Sequence, residues 1–184
     1  MFFYLDNFEL VLDQMEEDLE KFLAITFRRP SDETISMFNT AKGYKSPTAL
    51  ITKNGGWFRQ DGYMGLNSMP EIKFDEQILS AKKAQFYIDT FKKNGLRGPN
   101  SWYMNGLKND DYAKELGGFT PITKPVLFLA GENDSVLTPE TNSHNAMACT
   151  NLTEKSLPTG HWMAMEKPKE VNSIILSWLN ASFD

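Results

Sequence analysis

The stretch KPVLFLAGEND, residues 124 to 134, constrains this chain more than any other. Val126 to Ala130 form an unbroken apolar run behind a proline and ahead of a polar turn. A run that short with no polar alternation suits a strand covered on both faces, as in a parallel sheet, and its parallel neighbour must be reached by a crossover. The residues downstream supply one. Thr138 to Ala148 read as a short helix with Pro139 near its first turn, TEKSLP as a second short strand, and PKEVNSIILSWLNASF as a closing amphipathic helix. Strand, helix, strand, helix predicts a right-handed parallel unit, so the fold class is α/β.

Upstream the pattern differs. Leu12, Met15, Leu19, Phe22 and Leu23 recur at helical spacing between acids, which predicts one helix over residues 8 to 27 with EEDLEK as its solvated face. Ser31 is a candidate N-cap for a second, short helix, and residues 43 to 70 are dense in glycine, proline and asparagine, so they are expected to be loops. Asp75 is expected to cap a helix from about Glu76 to Lys93 that stops at Gly95. GLRGPNSWYMNGL then forms a constrained turn that opens a helical stretch towards Leu116. The boundaries are residues 1–115, mostly helix and loop, and residues 116–184, α/β.

Composition narrows the function classes. With 24 acidic against 19 basic residues the net charge is -5, which provides no counterion-release drive towards nucleic acid. No apolar run reaches the ~20 residues needed to cross a bilayer. MFFYLDNFEL lacks a basic opening segment and meets Asp6 and Glu9 at once, so it does not read as a secretory signal. A single cysteine, Cys149, excludes an internal disulfide and provides no zinc-binding set; its plain reading is a small buried apolar residue. The expectation is a cytoplasmic protein with no metal and no cofactor.

Functional groups of open parallel sheets collect beyond the carboxyl ends of the strands. Asp134 and His161 each lie just past such an end, 27 residues apart, which is one strand-helix-strand step. That spacing predicts neighbouring turns, where a carboxylate can accept the imidazole N–H and fix its tautomer. Taken singly, a histidine after glycine is more often structural and a strand-end aspartate more often a turn former; their joint placement favours chemistry. His144, with no acidic partner evident, reads as a surface histidine. Hydrolases of this architecture run nucleophile, acid, histidine, with the nucleophile in a G-x-S-x-G elbow. No two glycines here stand four residues apart, so no such elbow exists in these 184 residues.

FKKNGLRGPNSWYMN, PVLFLAGENDSVLTPE and LPTGHWMAMEKPKEVNSIILSWL together resemble the C-terminal part of a soluble-type epoxide hydrolase of the α/β-hydrolase fold. The resemblance runs from about Asp75 to the C-terminus, and more faintly back to Tyr4. It implies a partial α/β-hydrolase fold, with a mostly helical cap over residues 1–115 followed by the last strands and helices of the parallel core. It also implies a two-step conversion of an epoxide and water into a vicinal diol through an aspartyl ester. In that scheme His161 is the water-activating base and Asp134 its partner. Tyr103, in the family's W-Y context, and Tyr4 are the donors to the epoxide oxygen, and Trp102 and Trp162 line the pocket. Met104 departs from the arginine the family favours after the tyrosine, and FELVLD departs from its F-Q-x-P-G stretch.

The family's H-G-x-P motif and H-D-W-G-like nucleophile elbow have no counterpart here. The chain alone is therefore expected to be inactive, and its short sheet to need either the missing half or an oligomer to cover its edge. Two alternatives stay open: a haloalkane dehalogenase-like hydrolase, and a non-catalytic truncated chain that binds hydrophobic small molecules.

Overall fold

The computed structural model describes residues 6–31, 71–118, 120–134, 136–137 and 144–183. They group into two compact units: residues 6–28 with 71–118, and residues 29–31 with 120–183. The short helix expected after Ser31, the loop region 43–70 and the start of the crossover at Thr138 lie outside the described residues. The result is a partial α/β fold in which helices come first and a parallel strand pair follows.

The first unit begins with α1, Phe8–Glu17, and α2, Leu19–Thr26, where a single helix was expected. Asp18 makes the break. Its backbone leaves helical geometry, at φ -133° and ψ 68°, and its carboxylate accepts the Lys21 N–H at 3.1 Å. A carboxylate that satisfies an otherwise unpaired first-turn donor starts a new helix more readily than it continues an old one. The break turns α2, so that Lys21 is buried rather than part of a solvated acidic face. Helix α3, Ala81–Asn94, starts later than expected, because the Asp75 carboxylate accepts the Gln77 N–H at 3.1 Å and closes a tight turn. Its other end stops at Gly95, whose φ of +70° is one that glycine adopts without strain.

Val11, Leu12, Met15, Leu19, Leu23, Ile88 and Leu96 form one buried cluster, which places the apolar stripes of α1 and α2 against α3. Each such side chain contributes ~1.5–3 kcal/mol when fully buried. Two polar links join distant parts of this unit. Glu16 accepts the Leu96 N–H at 2.6 Å, and Arg97 pairs with Glu9 while its guanidinium stands 5.5 Å from the Phe8 ring centroid. Beyond Gly95, α4 covers Arg97–Ser101, a 3-10 turn covers Trp102–Asn105, and α5 covers Gly106–Glu115.

In the second unit β1, Val126–Gly131, pairs in parallel with β2, Leu152–Leu157, in the register Val126 to Leu152 through Gly131 to Leu157. The short helix α6, Asn145–Ala148, precedes β2. His144 sits at its N-cap position rather than mid-helix, and Cys149, directly after it, is half-buried and bridges to Ile122 rather than being fully enclosed. A one-turn helix α7, Met163–Glu166, which no sequence pattern announced, comes before the closing helix α8, Pro168–Phe183. Strand β1 is only half-buried along most of its length within this chain. Leu176, Leu179 and Phe183 of α8 are exposed.

Candidate active site

The two strands hand their last residues directly to the site. Past Gly131 the chain keeps its partner for two more residues: Glu132 N–H donates to Leu157 O at 2.9 Å and Asn133 N–H to Thr159 O at 3.0 Å. Asp134 then turns back, its N–H donating to Gly131 O at 3.2 Å. Its Oδ1 accepts the N–H groups of Val136, at 2.8 Å, and Leu137, at 3.0 Å. Two backbone donors on one carboxylate oxygen hold the side chain in a single orientation.

That orientation points the other oxygen at the histidine. His161 Nδ1 lies 3.0 Å from Asp134 Oδ2 and 3.2 Å from Oδ1. An ionised carboxylate only accepts, so the ring is assigned with its proton on Nδ1, which leaves the Nε2 lone pair free to take a proton. The aspartate side chain is 10% exposed and the imidazole 38%, so the acid is enclosed while the base still meets water. Trp162 packs edge-on against the imidazole, with centroids 5.4 Å apart and an interplanar angle of 76°.

The loop carrying the histidine is fixed on several sides. A β-carbon on Gly131 would stand 2.6 Å from Gly160 O and 2.8 Å from Thr159 O, so the turn after β1 and the turn after β2 touch backbone to backbone. A β-carbon on Gly160 would stand 2.5 Å from Pro30 Cδ. Gly160 N–H donates to both oxygens of Glu166, each at 3.0 Å. Glu166 follows the histidine by five residues, and nothing in the sequence pattern distinguished it from a surface acid. Cys149 lies at the amino ends of the strands, away from this pair. A groove between α8 and the sheet, lined by Leu127, Thr153, Lys155, Ile174 and Trp178 among others, does not include Asp134 or His161.

A carboxylate-held imidazole that is partly exposed can draw a proton from water with its second nitrogen. Bifunctional epoxide hydrolase 2 of Mus musculus is 33% identical over 181 residues, 94% of this chain and 29% of that protein. The protein of the same name from Sus scrofa is 31% identical over 168 residues, 89% of this chain and 27% of its own length. Epoxide hydrolase A of Mycobacterium tuberculosis is 31% identical over 121 residues, 65% of this chain and 37% of that protein. This chain belongs to the epoxide hydrolases of the α/β-hydrolase type, and to their C-terminal region. No protein-family profile matches it. The chain spans less than a third of the mouse and pig epoxide hydrolases.

The other residues that the epoxide hydrolase resemblance singled out lie elsewhere in the chain. Tyr103 and Trp102 sit in the 3-10 turn of the first unit, 48% and 79% exposed. Tyr4 lies outside the described residues. Among the described residues, no group of histidine, cysteine and acidic side chains could hold a metal ion, and no helix is long and apolar enough to cross a membrane.

Proposed function

We propose that this chain provides the water-activating half of an epoxide hydrolase reaction. The observation that carries the reading is the 3.0 Å contact between His161 Nδ1 and Asp134 Oδ2 at the paired strand ends. In this scheme an aspartate from a preceding α/β segment attacks an epoxide carbon, the C–O bond breaks, and the alkoxide takes a proton from a tyrosine. His161 Nε2 then removes a proton from water. The hydroxide adds to the aspartyl ester carbonyl and the ester C–O bond breaks. The departing alkoxide takes the proton from the imidazolium to give the diol, and the proton of the resulting carboxylic acid returns to the tyrosinate. Asp134 stabilises the imidazolium that forms, and general base help of this kind is worth ~10²–10⁴-fold.

Tyr103 and Tyr4 are the proposed donors to the epoxide oxygen. Positioned O–H groups suit this step because the charge on that oxygen develops only as the ring opens. Trp102 and Trp162 are the proposed pocket walls, with residues 1–115 as the cap and residues 116–184 as the end of the core. The same preceding segment would pair with the sheet beside β1. Support comes from the family, from the enclosed acid and open base, and from the absence of any nucleophile elbow in these 184 residues.

The test is to join the chain to the nucleophile-bearing segment of an epoxide hydrolase relative and supply an aryl epoxide. Diol is expected from the joined protein and not from the 184 residues alone. In the His161→Gln form, an enzyme-bound ester should accumulate and be visible by intact mass. Diol formation at an enzyme-like rate by the 184-residue chain would sink the reading.

A further inference from the structure

We propose that Glu166 is the positioning residue of His161: its carboxylate clamps the peptide N–H one residue before the histidine and so holds the imidazole on Asp134. The inference builds on the reading of His161 as the base. Both Glu166 oxygens lie 3.0 Å from Gly160 N, in a partly buried setting. A hydrogen bond from a backbone N–H to an ionised carboxylate is roughly twice as strong as a neutral one.

The chain between the two ends of this clamp is short and closed on itself. Glu166 N–H and Met165 N–H both donate to Trp162 O, at 2.9 and 2.8 Å, so α7 grows directly from the residue after the histidine. Its last residue then folds back to the residue before the histidine. His161 thus sits in a ring of seven residues, with Glu166 as the fastener. Gly160 is buried, so removing the carboxylate leaves its N–H without that partner, at the cost of an unmade hydrogen bond if the loop stays put. The loop escapes that cost by moving. A movement of half an ångström takes the Nδ1–Oδ2 contact from 3.0 Å to the edge of hydrogen-bonding distance.

The experiment uses the full 184-residue chain with ¹⁵N-labelled histidine, in a His144→Gln background so that one imidazole remains. The readout is the pair of ring nitrogen shifts at a pH where the ring is neutral. With Glu166 present, the two nitrogens are expected to be widely separated, protonated at Nδ1 and bare at Nε2. In Glu166→Ala the separation should fall towards the averaged pattern of a freely exchanging imidazole. Glu166→Gln keeps one carbonyl acceptor and should restore the separation. Glu166→Asp, which loses one methylene of reach, should fall between and serves where the alanine form does not fold. Asp134→Asn is the positive control. Folded Ala and Asp forms with an unchanged spectrum would overturn the proposal, and so would a Gln form as perturbed as the Ala form. No epoxide enters this measurement, so failure of the proposed reaction would leave its outcome intact.

Discussion

Gly131 and Gly160 approach so closely that a β-carbon at 131 would stand 2.6 Å from the Gly160 carbonyl oxygen. Backbone sets this limit at both ends, and no rotamer change can relieve it. Gly131→Ala is therefore expected to push the turn after β1 from the turn after β2, costing about 1–3 kcal/mol as an overpacked site does. Thermal unfolding would report that loss, and the His161 ring signal would lose its fixed tautomer. An alanine variant with unchanged melting and ring shifts would contradict the close approach.

Asp134 has two jobs, accepting the Val136 and Leu137 N–H groups and holding His161. Asp134→Asn can keep the first through its amide oxygen, but presents an NH₂ group to Nδ1. In the joined, epoxide-active protein we expect hydrolysis of the ester to slow by ~10²–10⁴-fold, with ring opening little changed. A pre-steady-state burst of ester formation followed by slow turnover is the predicted trace. Equal slowing of both steps would argue against the role given to the pair.

Tyr103→Phe separates the two hydrolase chemistries. An epoxide oxygen leaves as a strongly basic alkoxide and needs a donor, so its opening should slow by about 10²-fold. A halide leaves without a proton. Rates measured on matched epoxide and chloroalkane substrates should thus split, and a loss shared by both would point to packing instead.

Leu23 is almost fully buried in the core of the first unit, whereas Leu176 on α8 is 60% exposed. Leu23→Ala should cost ~2–5 kcal/mol, and Leu176→Ala within about 0.5 kcal/mol. Denaturant titration of the two variants of the 184-residue chain checks the contrast.

The Arg97 hydrogen bond is the largest cause holding the Glu9 carboxyl below its ordinary range; desolvation opposes it and the Arg97 charge adds to it. A depressed carboxylate stabilises the fold above its unfolded value and loses that contribution as pH falls through the folded value. Glu9→Gln should therefore melt slightly below the native chain near pH 7. The difference should fade as the pH falls through the folded value of that carboxyl and vanish once it is protonated. Both side chains are mostly exposed, so the effect is small and fades with salt. A difference of constant size across the whole acid titration would mean the glutamine disturbs packing, not charge.

Local pattern determined much of this protein. The apolar run at 126–130 read as a strand, the periodicity after Pro168 as a helix, and one crossover between the strands put residues 134 and 161 on neighbouring turns. What depended on contacts far apart in sequence was hidden. Asp18 could equally have sat on a helix surface; the burial of Leu19 and Leu23 in one cluster with Ile88 of α3 goes with the break. Glu166 looked like any exposed acid until the fold brought it to Gly160, and Gly131 and Gly160 showed their necessity only when two turns met. Periodicity records which face of a segment leaves water. It carries no trace of the partner atom that waits there, because that atom is supplied by another part of the chain.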